Sequence, residues 1–314
     1  MTAASSDART LASVLRRISA QLDRAGVASP RADAEQLLAH VLGVGRADLL
    51  THPPIDGEAL SEVDHLADRR AAREPLQHIT GQAHFRHLTL QVGPGVFVPR
   101  PETEIVVDAG LGTLPDSGPL TVVDLCSGSG AIALSIATER PDTHVYAVEL
   151  DTFALAWLRR NVVAHGDALR RAGSRISIIH GDAGAVARGD QPLATLTGSL
   201  PLVITNPPYV PDAARPRDPE VWHHDPGFAL YGGADGLDVV RRLADSAADL
   251  LAPGGAFIVE HSDDQGPQSA AGGVPDLLAR HEDVARSGAV WNRISDHRDL
   301  AGRPRYTVAR RAGP

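Results

Sequence analysis

From about residue 100 onward, short apolar runs alternate with longer segments of helical periodicity. This alternation predicts an α/β fold with a doubly wound, mostly parallel sheet, because parallel strands require crossover helices between them. The predicted strands lie at residues 122–125, 144–148, 176–179, 202–205, 256–260, 285–291 and 305–309. The predicted helices lie at residues 131–138, 153–164 and 237–250. Too few residues separate the last two strands for a helical crossover, so we expect an antiparallel strand at the end of the chain.

The first 80 residues show helical patterns and no strand signal. Apolar residues recur at helical spacing over residues 8–25 and again over residues 58–73. Between them, Ser29-Pro30 has the form of a capping residue followed by a helix-starting proline, and Gly43 ends the next apolar stripe. We therefore predict a small helical bundle over residues 1–80.

Between the two patterns lies the stretch HFRHLTLQVGPGVFVP, in which apolar and polar residues alternate over residues 88–92. The sequence Gly93-Pro94-Gly95 is a turn signal, and apolar residues resume at Val96. This pattern predicts a β-hairpin over residues 81–98, which would connect the bundle to a second domain over residues 99–314.

Composition narrows the class of protein. No apolar run approaches membrane-span length, and the first residues lack a basic start followed by an apolar stretch, so we expect a cytoplasmic protein with no membrane partner. Cys126 is the single cysteine, and no Cys/His cluster has zinc-ligand spacing, so no metal is expected. A formal net charge of −9 disfavours nonspecific binding to a nucleic-acid backbone.

The first predicted strand runs into the glycine loop VDLCSGSGAIAL. Gly128 and Gly130 allow a tight turn and close approach of a ligand, and the next helix directs its N-terminal N–H groups at the same place. Such a loop also occurs for packing alone. The third glycine of the dinucleotide pattern is missing, and Asp124 would repel a pyrophosphate but attract a sulfonium. These features favour S-adenosylmethionine over a nicotinamide dinucleotide.

Two more acids come after the next two strands. Glu149 ends the second strand, about twenty residues after the glycine loop, where a carboxylate can accept both ribose hydroxyls of a nucleoside. Asp182 comes after the third strand and is equally compatible with a turn aspartate or with an acceptor for an adenine amino group. Together with the loop, the acids indicate a nucleoside site at the carboxyl edge of the sheet.

The fourth predicted strand ends in Asn206-Pro207-Pro208-Tyr209. Adjacent prolines end pairing abruptly and make the segment rigid. An amide nitrogen is a poor nucleophile, but a site that accepts both of its hydrogens anchors it and lets it pyramidalise. The Asn206 side-chain oxygen and the Pro207 carbonyl are two such acceptors, and Tyr209 offers a flat face to a planar group.

The sequence resembles the release-factor glutamine methyltransferases over essentially its whole length, least over residues 1–70. The stretches that carry the resemblance are REPLQHITGQAHF, VFVPRPETE, VDLCSGSGAIAL, ITNPPYV, EVWHHDPGFALYGGADGLD and DLAGRPR. Several amino-group methyltransferases share the Asn-Pro-Pro-Tyr tetrapeptide. The runs PRPETE and ALYGGADGL are more specific to this family.

The resemblance implies a seven-stranded, Rossmann-like methyltransferase sheet and S-adenosylmethionine as cofactor. We also expect a monomer. The substrate would be the glutamine of a Gly-Gly-Gln loop in class-1 peptide-chain release factors, and the helical domain would contact the release factor. The implied catalytic and substrate-binding residues are Asn206, Pro207, Pro208 and Tyr209, with Arg100 as a further substrate contact. The implied cofactor-binding residues are Asp124, Cys126, Ser127, Gly128, Ser129, Gly130, Glu149, Asp182, Ala183 and Asn206.

Three positions depart from the family pattern. Cys126 stands where glycine is usual, which is awkward if the position requires a positive φ. Ala183 replaces an aromatic residue that contacts the cofactor in relatives, and Ser262 replaces another glycine.

Two different classes of function remain as alternatives. One is a nucleic-acid adenine methyltransferase, which would need a basic groove, and the other is a cofactor-binding module without catalysis or a dinucleotide-dependent oxidoreductase.

Overall fold

The protein is described here from a computed structural model over residues 10–51, 53–269, 272–283 and 288–313. The chain divides into two compact units. The first comprises Met1–Gln82 together with Pro216–His224, and the second comprises Ala83–Arg215 and Asp225–Pro314. The short segment 216–224 thus packs with the helical unit, whereas the sequence prediction placed all of 99–314 in one domain. None of the described helices is long and apolar enough to cross a membrane.

Within the described residues, the α-helices are α1 (Leu11–Arg24), α2 (Pro30–Leu42), α3 (Gly57–Ala71), α4 (Leu76–Thr80), α5 (Glu104–Leu111), α6 (Ala131–Glu139), α7 (Thr152–Ala164), α8 (Gly166–Arg171), α9 (Pro219–His224), α10 (Asp238–Leu250) and α11 (Val274–Ala279). The strands are β1 (Gln82–Phe85), β2 (Leu88–Gln91), β3 (Leu120–Leu125), β4 (Thr143–Glu149), β5 (Arg175–His180), β6 (Leu200–Thr205), β7 (Leu251–Glu260), β8 (Glu282–Asp283), β9 (Gly288–Ala289), β10 (Trp291–Arg298) and β11 (Pro304–Arg311).

The helical unit is built from α1 to α4 and α9. Its core is apolar and includes Ile18, Leu22, Leu37 and Leu38, none of which is accessible to solvent. Gly43 ends α2 in the left-handed conformation, as its position in the sequence predicts. Ser29 occupies the N-cap position of α2, but its side chain makes no capping hydrogen bond.

The connecting hairpin exists, but its predicted turn is wrong. Strands β1 and β2 pair with each other and are joined by Arg86-His87, with Arg86 in a left-handed conformation at φ 54°. The Gly93-Pro94-Gly95 stretch forms a loop against α7, where the Trp157 indole donates a hydrogen bond of 3.2 Å to the Pro94 carbonyl. Val96 is buried without being part of a strand, which is why it mimics a strand residue in the sequence.

The second unit contains a seven-stranded sheet in the order β10-β11-β7-β6-β3-β4-β5. Strands β3 to β7 pair in parallel, whereas β11 is antiparallel to both of its neighbours. The predicted doubly wound α/β fold and the antiparallel terminal strand are therefore confirmed. The sixth predicted strand, at residues 285–291, is wrong in position, since β10 begins at Trp291. Of that prediction, residues 285–287 lie outside the described part of the chain.

Both faces of the sheet are covered, as a doubly wound fold requires. Successive residues of β3 enter different apolar clusters: Val122 packs in a cluster with Leu134 of α6, whereas Val123 packs in another with Leu243 of α10. Burial on both faces explains the continuous apolar runs in the sequence. It also leaves the carboxyl edge of the sheet as the place where polar side chains can gather.

Candidate active site

Strand register brings the ends of four strands into line at the carboxyl edge of the sheet. Leu125 of β3 lies opposite Val148 of β4 and Thr205 of β6, and Thr205 lies opposite Val259 of β7. The next residues along these strands are therefore neighbours at the edge. These residues are Cys126, Glu149, Asn206 and Glu260.

The glycine loop is held by hydrogen bonds to its surroundings. The Gly128 N–H donates to the Glu149 carboxylate at 2.7 Å, and the Ser129 carbonyl accepts from the Asn161 side chain at 2.9 Å. Gly128 has φ 56° and open space where a Cβ would stand, whereas a Cβ on Gly130 would lie 2.6 Å from Leu158. Gly128 thus leaves room for a ligand beside the N-terminus of α6, and Gly130 is required for packing.

Asp124 is completely buried beneath this loop. Its Oδ2 accepts from the Ala133 N–H at 3.2 Å, and its Oδ1 has no hydrogen-bond partner within the described parts of the chain. Burial raises the pKa of Asp124 to about 8, against the opposing effect of hydrogen bonds from Ser127 and Ala133. The unpartnered oxygen is available to a cationic ligand group such as a sulfonium, whose charge would lower the pKa of Asp124 and favour the carboxylate.

Glu149 is nearly buried at the end of β4. Besides the bond from Gly128, its carboxylate accepts from the Asp151 N–H at 2.8 Å. Burial raises the pKa of Glu149, while these backbone hydrogen bonds act to lower it. The carboxylate is thus fixed at the edge of the sheet next to the glycine loop, as a ribose-binding acid would be.

Asp182 and Ala183 lie beyond β5. Asp182 forms an ion pair with Arg242 of α10 and accepts from the Gly184 N–H at 2.9 Å, which makes it a turn aspartate in this structure. Ala183 is buried against the apolar cluster on the α10 side of the sheet. Their role towards a cofactor stays a prediction.

Cys126 adopts φ 61°, the left-handed conformation that was considered awkward for this residue. Burial is the main cause that raises the pKa of its thiol, and the nearby Glu149 acts in the same direction. The sulfur is therefore held uncharged beside the acids of the loop.

The Asn206–Tyr209 segment is braced from behind by the glycine-rich run that comes after it. A Cβ on Gly232 would lie 2.6 Å from the Pro208 carbonyl, and a Cβ on Gly236 would collide with the Tyr209 carbonyl. That carbonyl also accepts from the Gln265 side chain at 2.9 Å. The glycines of ALYGGADGL are thus needed for close backbone contact, a role that the sequence analysis did not assign.

A second polar cluster contacts the Asn206 side chain. Asn206 Nδ2 donates to Thr103 Oγ1 at 3.2 Å. Burial raises the pKa of Glu260 to about 7, against the opposing effect of hydrogen bonds from the side chains of Thr103 and Asn206. Arg305 lies nearby and pairs with Asp299 at 3.1 Å. Sequence reasoning missed Thr103, Glu260 and Arg305 as site residues, although PRPETE and GRPR, which contain two of them, were among the stretches that carried the resemblance.

Arg100 does not present a free guanidinium. It pairs with Asp225 at 2.8 Å, and its guanidinium carbon lies 5.1 Å from the centroid of the Phe97 ring. The pKa of Asp225 is raised to about 6 by burial, against the attraction of Arg100. Substrate binding by Arg100 stays a prediction.

The sheet topology, the glycine loop and the edge acids define a Rossmann-like, S-adenosylmethionine-dependent methyltransferase. The family model of the methyltransferase small domain matches residues 88–222, which agrees with this class. A second family model, the PrmC N-terminal domain, matches residues 13–81.

Curated relatives identify the family. A release factor glutamine methyltransferase from Streptomyces coelicolor is 46% identical over 94% of this chain and 95% of its own. The protein of that name from Mycolicibacterium smegmatis is 41% identical over 96% of this chain and 98% of its own. The chain therefore belongs to the release factor glutamine methyltransferase family, and the resemblance inferred from its motifs is confirmed.

Among solved structures, a methyltransferase from Pyrococcus furiosus matches with a TM-score of 0.47 and 17% identity, covering 73% of this chain and 91% of its own.

Proposed function

We propose that this protein transfers a methyl group from S-adenosylmethionine to the side-chain amide nitrogen of the glutamine in the Gly-Gly-Gln motif of class-1 peptide-chain release factors. The observation that carries the proposal is the anchored amide of Asn206. It stands at the edge of the sheet directly beside the glycine loop, where a methyl donor and a planar amide can meet.

The Asn206–Tyr209 segment supplies the acceptors that an amide nucleophile needs. The Asn206 side-chain oxygen and the Pro207 carbonyl accept the two N–H hydrogens of the substrate amide, which anchors the nitrogen as it pyramidalises. Tyr209 packs its ring against the planar group, and burial raises the pKa of its phenol, so the ring stays neutral. Bound S-adenosylmethionine supplies an electrophilic methyl on a sulfonium. The substrate nitrogen would gain this methyl as its bond to sulfur breaks, and one amide proton would leave to solvent.

The residues proposed to hold the cofactor fall into two groups around the carboxyl edge. The loop from Cys126 to Gly130 offers backbone N–H groups and open space at Gly128, and Asp124 offers its unpartnered oxygen to the cationic end. Glu149 is proposed to accept the ribose hydroxyls. Asp182, Ala183 and Asn206 complete the proposed cofactor contacts.

The helical domain over residues 1–80 is proposed to recognise the release factor, with the hairpin at 81–98 as connector. Residues 99–314, apart from segment 216–224, are proposed to form the methyltransferase domain. We further propose a monomeric, cytoplasmic enzyme that does not bind nucleic acid directly. A formal net charge of −9 supports the last point.

A direct comparison of substrates tests the proposal. The full chain is incubated with S-adenosylmethionine carrying a labelled methyl, together with either a class-1 release factor or duplex DNA. We expect label on the release factor and none on DNA. A release factor with the glutamine of its Gly-Gly-Gln motif changed to alanine is the matched control and should stay unlabelled. Label on DNA adenine instead would support the alternative of a nucleic-acid methyltransferase.

A further inference from the structure

Glu260 is a buried acid that the proposed chemistry does not use. It ends β7 beside Asn206 and is 1% exposed. Its carboxylate accepts hydrogen bonds from Thr103 and Asn206, yet Oε2 has no hydrogen-bond partner in the described ranges. Burying a carboxyl group with incomplete hydrogen bonding is costly, so a role other than stability is expected for it.

The hydrogen bonds around Asn206 have a single consistent direction. When Glu260 is ionised, its carboxylate can only accept, so the Thr103 hydroxyl donates to Glu260, and the hydroxyl oxygen is left to accept from Asn206 Nδ2. A hydrogen bond from the Asn206 side chain also acts to lower the pKa of Glu260, which places the nitrogen of the amide on the side of this acid. Turning the Asn206 amide over would place its Oδ1 against two acceptors, which is unfavourable.

This inference rests on the function proposed above. We propose that Glu260 is a positioning residue that, with Thr103, fixes the Asn206 amide with Nδ2 inward, so that Oδ1 faces the methyl-accepting amide. The charged and titratable groups around Glu260 are Arg305, Glu102, Tyr209 and the neighbouring His261, which is itself paired with Asp296. None of these replaces the two acceptors that hold the orientation of Asn206.

The variant Glu260→Gln tests the proposal, because a glutamine has the same shape but can also donate a hydrogen bond to Asn206 Oδ1. We expect kcat to fall by about tenfold to a hundredfold, with KM for the release factor and the cofactor dissociation constant nearly unchanged. In the wild type, kcat should fall at acidic pH, because protonation of Glu260 removes an acceptor. This fall should be absent from the variant. Glu139→Gln, which removes a carboxylate from the same unit at its ion pair with Arg86, is the control and should leave kcat unchanged.

Variants made in the Asn206→Ala protein distinguish a positioning role of Glu260 from a direct action on the substrate. In Asn206→Ala, the further change Glu260→Gln should have no effect on the residual kcat, because Glu260 acts through Asn206. Thr103→Ser should retain most activity and Thr103→Val should lose it. A Glu260→Gln enzyme as active as the wild type, or an equal loss in the Asn206→Ala background, would overturn the proposal.

One readout does not depend on which substrate is methylated. The side-chain NH₂ resonances of Asn206, identified by their loss in Asn206→Ala, should shift and exchange faster in Glu260→Gln. Unchanged resonances would contradict the positioning role even if release factor is methylated. If these resonances shift in Glu260→Gln although the protein methylates no release factor, the result would support the positioning role and contradict only the proposed substrate.

Discussion

The side-chain nitrogen of Asn206 is anchored on Thr103, and its side-chain oxygen is the proposed acceptor for the substrate amide. Asn206→Ala removes one preorganised acceptor and leaves the glycine loop untouched, so turnover is expected to fall by about a hundredfold or more. Cofactor affinity and melting temperature should stay close to those of the wild type. Single-turnover methylation and calorimetry check the two halves of this prediction, and near-normal turnover would remove Asn206 from the proposed chemistry.

Cys126 is the residue whose backbone conformation least suits its side chain, with φ 61° in the glycine loop. A non-glycine residue in this region costs about 1 to 2 kcal/mol. Cys126→Gly is therefore expected to preserve or tighten cofactor binding, measured by calorimetry. Cys126→Ala, which keeps a Cβ but removes the thiol, is the matched control and should not gain affinity. A clear loss of affinity in Cys126→Gly would show instead that the thiol contributes to the site.

Position near the end of a predicted strand led to the prediction that Asp124, Glu149 and Asn206 belong to the site. The structure places all three at the carboxyl edge of the sheet or directly beneath its loop, and their roles towards ligands stay predictions. The sequence did not predict the partnership of Thr103 with Glu260, because these residues are far apart in the chain and meet only through strand order and register.

At the scale of elements, α9 is a short helix held in the helical unit by ion pairs. Glu220 binds Arg73 at 2.6 Å and Arg70 at 2.9 Å. Burial pushes the pKa of Glu220 up, but hydrogen bonds from Arg73 and Arg70 outweigh it and hold the pKa at about 2. The stabilisation that these ion pairs give the folded state is present above the ordinary glutamate pKa and is lost as pH falls towards 2.

Glu220→Gln is expected to weaken the attachment of α9 by about 2 kcal/mol, because two largely buried guanidinium groups lose a charged acceptor. Amide hydrogen exchange in residues 219–224 should then be roughly 30-fold faster, since 1.4 kcal/mol corresponds to a factor of ten. Glu35→Gln is the control, because Glu35 pairs with Arg31 and Arg46 elsewhere in the same unit. Unchanged exchange in α9 would show that other contacts hold it.

The elements themselves were predicted with uneven success, for a physical reason. Strands buried on both faces, such as β3 and β6, have continuous apolar runs and were placed within two residues of their starts. The hairpin turn was misplaced, because buried residues after Gly95 look like a strand although tertiary contacts to α7 hold them in a loop. Segment 216–224 gave no signal of its packing partner, since this depends on Arg70 and Arg73 far back in the chain.

At the scale of the whole molecule, two buried acids tie stability to pH. The pKa is raised by burial to about 8 for Asp124 and to about 7 for Glu260. Between about pH 6 and 8 the folded state therefore holds protons that the unfolded chain has already released, so stability falls as pH rises. The free energy of unfolding should fall by up to about 1.4 kcal/mol per pH unit for each group. The melting temperature measured across this range should therefore decrease.

Variants identify the source of that slope. Glu260→Gln and Asp124→Asn should each flatten the decrease in melting temperature with pH, and Glu260→Gln should be more stable than the wild type at pH 8. The surface-facing change Glu35→Gln should leave the slope unchanged. A melting temperature that rises from pH 6 to 8 in the wild type would contradict the assignment of raised pKa values to these acids.

The most direct measurement is to locate the transferred methyl on an intact class-1 release factor. The full chain is incubated with S-adenosylmethionine and the release factor, and the peptides are then sequenced by mass spectrometry. We expect one methyl group on the side-chain nitrogen of the Gly-Gly-Gln glutamine, which is absent when Asn206→Ala is used. A methyl group on any other residue, or the same methylation by Asn206→Ala, would contradict the account.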